Sequence, residues 1–199
     1  MFEHSVKTLR EGCMVNDEAM NNYMAMLSSP ENPGGGDAMF WPTHFYTKFE
    51  EFDDANDGFT GIESWVRGLD KPSYRKVFVP VHTKTPEHWF LITIDFEEKT
   101  VLSLDSLSGG RKRATQRRKM MEWTRREWNS CPRWKGEFRA EEWSSRTASV
   151  PKQTNDVDCG VFTCMYAAFV SNGREMTFSQ GDVPGMRARM AWSILHRKL

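Results

Sequence analysis

A thiol that can become a thiolate, an imidazole to take its proton and a carboxylate to hold the imidazole make a hydrolase. This sequence carries candidates for all three roles. The cysteines are Cys13, Cys131, Cys159 and Cys164. Cys159 begins a predicted helix after the turn-forming run QTNDVDCG (153–160). The open N–H groups and positive dipole end of a helix start stabilise a thiolate and lower its pKa. The same donors can hold the oxyanion formed when the thiolate attacks a carbonyl. Gly160 lets a substrate backbone approach with no Cβ in the way. Cys164 falls in the apolar part of that helix and reads as a packing residue, while Cys13 and Cys131 have no activating context. The base is one of five histidines: His4, His44, His82, His88 or His196. His88 precedes one predicted strand and Asp105 ends the next, so an antiparallel hairpin can bring both to one edge. The residues alone leave the choice of histidine open.

Several elements must position these groups. NDEAMNNYMAML (16–27) places Met20, Tyr23, Met24 and Leu27 at helical spacing, with Asn16 or Asp17 as cap. PENPGGGD (30–37) reads as a flexible loop, the aromatic run 39–49 as core-packing, and 60–68 as a short helix. The β region comprises 77–81, 88–96 and, after an EEKT turn, 101–107, the last two forming a hairpin. A basic helix is predicted over 111–130, an edge strand over 136–143, a buried helix over 160–170 and a C-terminal helix over 186–199. Helix, strands, helix, strand and helices in that order suit a single α+β domain over 1–199.

The 199 residues, 39% hydrophobic and 27% charged, place the chain among globular proteins with a real core. Basic and acidic side chains number 27 each, so no net charge draws the chain to nucleic acid or membrane, and any charged partner must be met by a local patch. The cysteines show neither zinc-type pairing nor disulfide density. The first twelve residues lack the apolar core of a signal peptide, and no apolar run approaches the roughly 18 residues of a span. The expected setting is reducing, the nucleus and/or cytoplasm. Eight Trp and thirteen Phe exceed what such a core needs, so some are expected to line a groove.

The run HWFLITIDFEEKTVLSLDSL (88–107) followed by QTNDVDCGVF (153–162) resembles the ubiquitin-like-specific cysteine proteases that process and remove SUMO. Their pattern is His-Trp, Asp-Ser-Leu after the next strand, then Gln-x-x-x-x-Asp-Cys-Gly. The likeness extends from about residue 14 to the end, through FYTKF (45–49), KVFVPVH (76–82) and RMAWSILHRKL (189–199). The resemblance implies a papain-like α+β fold with a small mixed sheet flanked by helices. It implies Cys159 as nucleophile, His88 as base, Asp105 as its orienter and Gln153 as support for the oxyanion hole. Trp89 corresponds to the tryptophan lining a tunnel for the modifier's terminal Gly-Gly, and Asp17 to an acidic residue that pairs with a basic residue of the modifier. Asp17 also reads as a helix-capping carboxylate. Met14 departs from the pattern, standing where the family usually has a second tunnel tryptophan, so the tunnel is expected to be looser.

The implied activity is that of a thiol-dependent SUMO endopeptidase and isopeptidase, acting on SUMO precursors and SUMO-conjugated proteins. It would act as a monomer without cofactor, metal, direct nucleic-acid contact or membrane. A deneddylase of the same family and a related acetyltransferase are the rivals. DDANDG (53–58) is a poor calcium loop, since Ala55 and Ser64 occupy the third and twelfth positions. RKRATQRRK (111–119) reads as a solvated helix face.

Overall fold

The computed structural model describes residues 2–53, 74–107, 113–130, 134 and 136–199. The helix expected over 60–68, the loop from residue 54 onward and Cys131 lie outside them. In chain order the elements are α1 (Phe2–Lys7), α2 (Asp17–Leu27), β1 (Ala38–Phe40), α3 (Phe45–Asp53), β2 (Lys76–Lys84), β3 (Glu87–Asp95), β4 (Thr100–Leu104), α4 (Ala114–Ser130), β5 (Ser144–Thr147), α5 (Cys159–Ser171) and α6 (Val183–His196). The strands form one sheet in the order β1-β2-β3-β4-β5. The central three are antiparallel, and each outer strand runs parallel to its neighbour.

Strand alternation divides the interior in two. Val77, Val79 and Val81 of β2, with Phe90, Ile92 and Ile94 of β3, face a cluster built with Trp41, Phe45, Tyr46 and Phe49 around α3 and Met120 and Trp123 of α4. Phe78, Leu91 and Leu104 face the other way, onto Met20, Tyr23 and Met24 of α2, Val161 and Phe162 of α5, and Met190 and Ile194 of α6. α5 is buried almost throughout because it lies between the sheet and α2 and α6. That is why its sequence is apolar all round instead of striped.

The β3–β4 turn is an Asx turn: Asp95 Oδ1 accepts from the amides of Glu97 and Glu98 at 3.1 and 3.0 Å. The glycine loop packs down onto its surroundings. A Cβ on Gly34 would lie 2.0 Å from Ser171 O, and one on Gly35 2.0 Å from Ser29 O. Those two glycines let the loop close over the ends of α2 and α5.

The edge strand differs from expectation. Residues 136–139 are irregular, 140–142 form a 3-10 turn, and the strand is Ser144–Thr147, with four exposed side chains. Phe138 and Trp143 pack instead around Trp128, at ring separations of 6.3 and 6.0 Å. Aromatic burial thus fixes the segment whose alternation mimicked a strand.

Candidate active site

Cys159 is the first residue of α5 and is buried. The turn before it is built by Asn155, whose Oδ1 accepts from the amides of Val157 and Asp158, both at 3.1 Å. Asp158 occupies the cap position but makes no side-chain cap. Its carboxylate faces Arg187 (Oδ1 3.1 Å from Nε and 2.5 Å from Nη2), Asn155 Nδ2 at 2.6 Å and Gln180 Nε2 at 2.6 Å. The first amides of α5 therefore remain open to the sulfur and to a developing oxyanion. Arg187 also donates to the carbonyls of Thr8, Arg10 and Cys13, at 3.3, 2.9 and 2.7 Å. It ties the segment leading to Met14 and Asp17 to the helix that carries Cys159.

His88, also buried, donates through Nε2 to Asp105 Oδ1 at 2.7 Å. The last β3–β4 pair is Leu91 with Leu104, so Asp105, one residue on, falls beside Phe90. His88 shares that side of β3 by the two-residue alternation. Asp105 Oδ1 also accepts from the Leu107 amide at 3.0 Å, and Oδ2 from Arg113 Nε at 2.7 Å. Burial alone would raise the Asp105 carboxyl. The hydrogen bonds from His88 and the Leu107 amide, with the charges of His88 and Arg113, outweigh it and hold the group at about 2. An ionised Asp105 fixes the proton of His88 on Nε2, which leaves Nδ1 as the ring atom able to receive one.

Trp89 joins the two halves. Its amide acts on the Cys159 thiol, as do the amides of Gly160 and of Cys159 itself, each lowering its pKa. The expectation that the helix start lowers the thiol pKa is corrected here: burial pushes Cys159 up, and these amides oppose it without cancelling it. The thiol stays protonated on its own and needs a base. The buried Cys164 thiol is pushed up further, with no opposing donor.

Gly160 also differs from expectation. A Cβ there would meet Val15 Cβ at 3.2 Å and Met20 Sδ at 3.3 Å, so the missing side chain makes room for the protein's own α2 region. What Gly160 offers the site is its amide.

Gln153 is set from both ends: Ser106 Oγ donates to its Oε1 at 2.5 Å, and its Nε2 donates to Asn155 O at 2.5 Å. One N–H of the amide remains for an oxyanion. Met14 and Trp89 both line a groove of about 430 Å³, together with Val15, Asn16, Asp17, Thr43, His44, Thr47, His82 and Glu87. Asn16 caps α2, its Oδ1 accepting from the Ala19 amide at 2.9 Å, while Asp17 stays exposed in the groove. Among the described tryptophans Trp89 lines this groove, whereas Trp41, Trp123, Trp128 and Trp143 are buried in the core. His82 packs tilted against Trp89, with ring centres 4.5 Å apart, and lies 3.7 Å from Glu87. It is a groove wall.

The solvated-face reading of the basic cluster fails at two positions. Arg113 and Arg117 are buried, Arg117 reaching Ser103 Oγ at 2.7 Å and Thr147 Oγ1 at 3.0 Å. Arg118 is exposed. Arg113, just before α4, and Arg187, in α6, were missed as site residues, and no local pattern in the sequence marks them as such.

The model of the Ulp1 protease family, C-terminal catalytic domain, matches residues 14–198. The chain belongs to the Ulp1 protease family. Human sentrin-specific protease 2 is 31% identical over 198 residues, covering 98% of this chain and 32% of that protein. Ubiquitin-like-specific protease 1A of Arabidopsis thaliana is 27% identical over 205 residues, covering 97% and 39%. The chain thus spans about a third of the length of these relatives. Among solved structures, the C-terminal Ulp1 protease domain in complex with Smt3, the yeast ortholog of SUMO, superposes with a TM-score of 0.81 at 23% identity, over 97% of this chain and 81% of that one. This Ulp1-family domain has the α+β, papain-like fold expected from its sequence. Among the described residues no cluster could hold a metal ion and no helix is long and apolar enough to cross a membrane.

Proposed function

We propose that this domain is a cysteine protease that cleaves after the C-terminal Gly-Gly of SUMO, both in precursors and in isopeptide-linked conjugates. The observation that carries the reading is the buried Asp105–His88 pair, with His88 next in sequence to Trp89, whose amide acts on the Cys159 thiol. Family membership and the Smt3-bound neighbour support the choice of modifier.

The chemistry follows from the geometry. His88 Nδ1 takes the thiol proton while Asp105 stabilises the imidazolium. The thiolate attacks the carbonyl carbon of the last glycine, and the oxyanion is met by the Cys159 amide and the remaining N–H of Gln153. The C–N bond breaks, His88 protonates the leaving amine, and a thioester forms. Water, deprotonated by His88, then releases the glycine carboxylate and restores the thiol. The groove suits a glycine tail because Met14 and Trp89 cover a backbone that has no side chains, and the exposed Asp17 can pair with a basic residue upstream. The domain works as a monomer without cofactor, nucleic acid or membrane, in the nucleus or cytoplasm, where a free thiol persists.

A panel of SUMO, the NEDD8-type modifier and ubiquitin, each carrying a C-terminal extension or a lysine-linked partner, tests this, with acetyl-CoA transfer run alongside. Expected are cleavage of both SUMO substrates by the intact protein and loss of turnover with retained SUMO binding in Cys159→Ser. Preferential cleavage of the NEDD8-type modifier, or acetyl transfer without cleavage, would contradict the reading.

A further inference from the structure

We propose that Arg113 is a positioning residue for the Asp105–His88 pair, locking the plane of the carboxylate and offsetting part of its charge. This rests on the cysteine-protease reading above. The Cβ–Cγ torsion of an aspartate is soft. With only Oδ1 held, by His88 and Leu107, the carboxylate of Asp105 could swing and carry the imidazole with it. Arg113 removes that freedom by gripping the other oxygen, Nε to Oδ2 at 2.7 Å. The arginine is itself fixed: its guanidinium lies 4.3 Å over the ring of Phe90, two residues beyond His88 on the same strand, and only 6% of the residue is exposed. Its Nη2 is buried without a partner among the described residues, a cost that a purely anchoring side chain need not carry.

The charge has a second consequence. A guanidinium stays cationic at any working pH, so part of the field of Asp105 is spent on a permanent counterion. The imidazolium formed when His88 takes the thiol proton is then stabilised less than by a lone carboxylate. His88 can therefore return that proton to the leaving amine. The other groups facing the pair are Lys152, whose Nζ binds the backbone oxygen of Asp105 at 2.6 Å, Tyr166 on α5 and His82 on β2. Among the described residues none of these but Arg113 and His88 reaches the carboxylate oxygens with a side chain.

The test is the pH profile of kcat/KM for cleavage of C-terminally extended SUMO by the intact protein, Arg113→Met and Arg113→Lys. Active sites are counted with a SUMO bearing a C-terminal electrophile, and folding is checked by thermal melting. Arg113→Met is expected to lower the plateau about tenfold through misplacement of the imidazole and to move the acidic limb, where His88 must be unprotonated to act as base, to higher pH. Arg113→Lys keeps the charge without the in-plane Nε; its limb should return to the wild-type position with the plateau still about threefold low. A folded Arg113→Met with wild-type plateau and limbs would overturn the proposal. Should Arg113→Met not fold, a wild-type plateau in Arg113→Lys would do so. If the intact protein neither cleaves nor reacts with the probe, it is the protease reading that has failed.

Discussion

Two buried aspartates stand near Cys159, each held by a buried arginine, and they do different work. Asp158 is saturated: Arg187, Asn155 and Gln180 direct four N–H···O contacts at its two oxygens. Every partner is a structural neighbour, and the result fastens the N-terminal segment, α5 and α6 together. Asp105 gives one oxygen to Arg113 and shares the other between an amide and His88, a group that must gain and lose a proton. The same residue types thus make a bolt in one place and a lever in the other. What distinguishes them is whether a titrating partner is in the set.

Substitution should separate the two. Asp105→Asn keeps the shape but removes the charge that fixes the His88 tautomer, so kcat should fall by about 10³- to 10⁴-fold with little change in melting temperature. Asp158→Asn should do the reverse. Leaving Arg187 buried without its counterion costs about 3 kcal/mol of stability. Activity per folded molecule should fall only modestly, chiefly through KM, because the groove wall at Met14 and Asp17 loosens. Steady-state kinetics and melting on the two variants check both expectations.

Acid sharpens the same contrast. Both carboxyls lie below the ordinary aspartate value of about 4. For a depressed group the stabilisation is present above the unfolded value and is lost as pH falls through the folded one, about 2 for Asp105. The melting temperature should hold from neutral pH to about 5 and decline from about 4 towards 2, less steeply in Asp158→Asn. The smallest effect is expected at Gly160→Ala. The added methyl crowds Val15 and the flexible Met20, costing about 1 kcal/mol with kcat within about threefold of wild type. A far larger loss of kcat would mean that the glycine faces substrate after all.

The sequence makes the lever more legible than the bolt. Cys159, His88, Trp89 and Asp105 announce themselves through strand and helix boundaries and through a motif resemblance, and the hairpin register needed for His88 and Asp105 is local. Arg187 meets Thr8, Arg10 and Cys13 from more than 170 residues away, a contact that no local pattern encodes. Arg113 and Arg117 sit in a basic run that reads as solvated, and only the positions of Asp105, Ser103 and Thr147 show why they turn inward. β5 escaped notice for a related reason. Its side chains are all exposed, so it carries no hydrophobic alternation, and backbone pairing with β4 alone defines it.

The most direct test of the thiol at the head of α5 is reaction with a SUMO whose C-terminal glycine carries an electrophile, followed by peptide mapping. A single adduct on Cys159 is expected, absent in Cys159→Ala and strongly slowed in His88→Ala. An adduct on Cys13, or labelling that persists in Cys159→Ala, would contradict it.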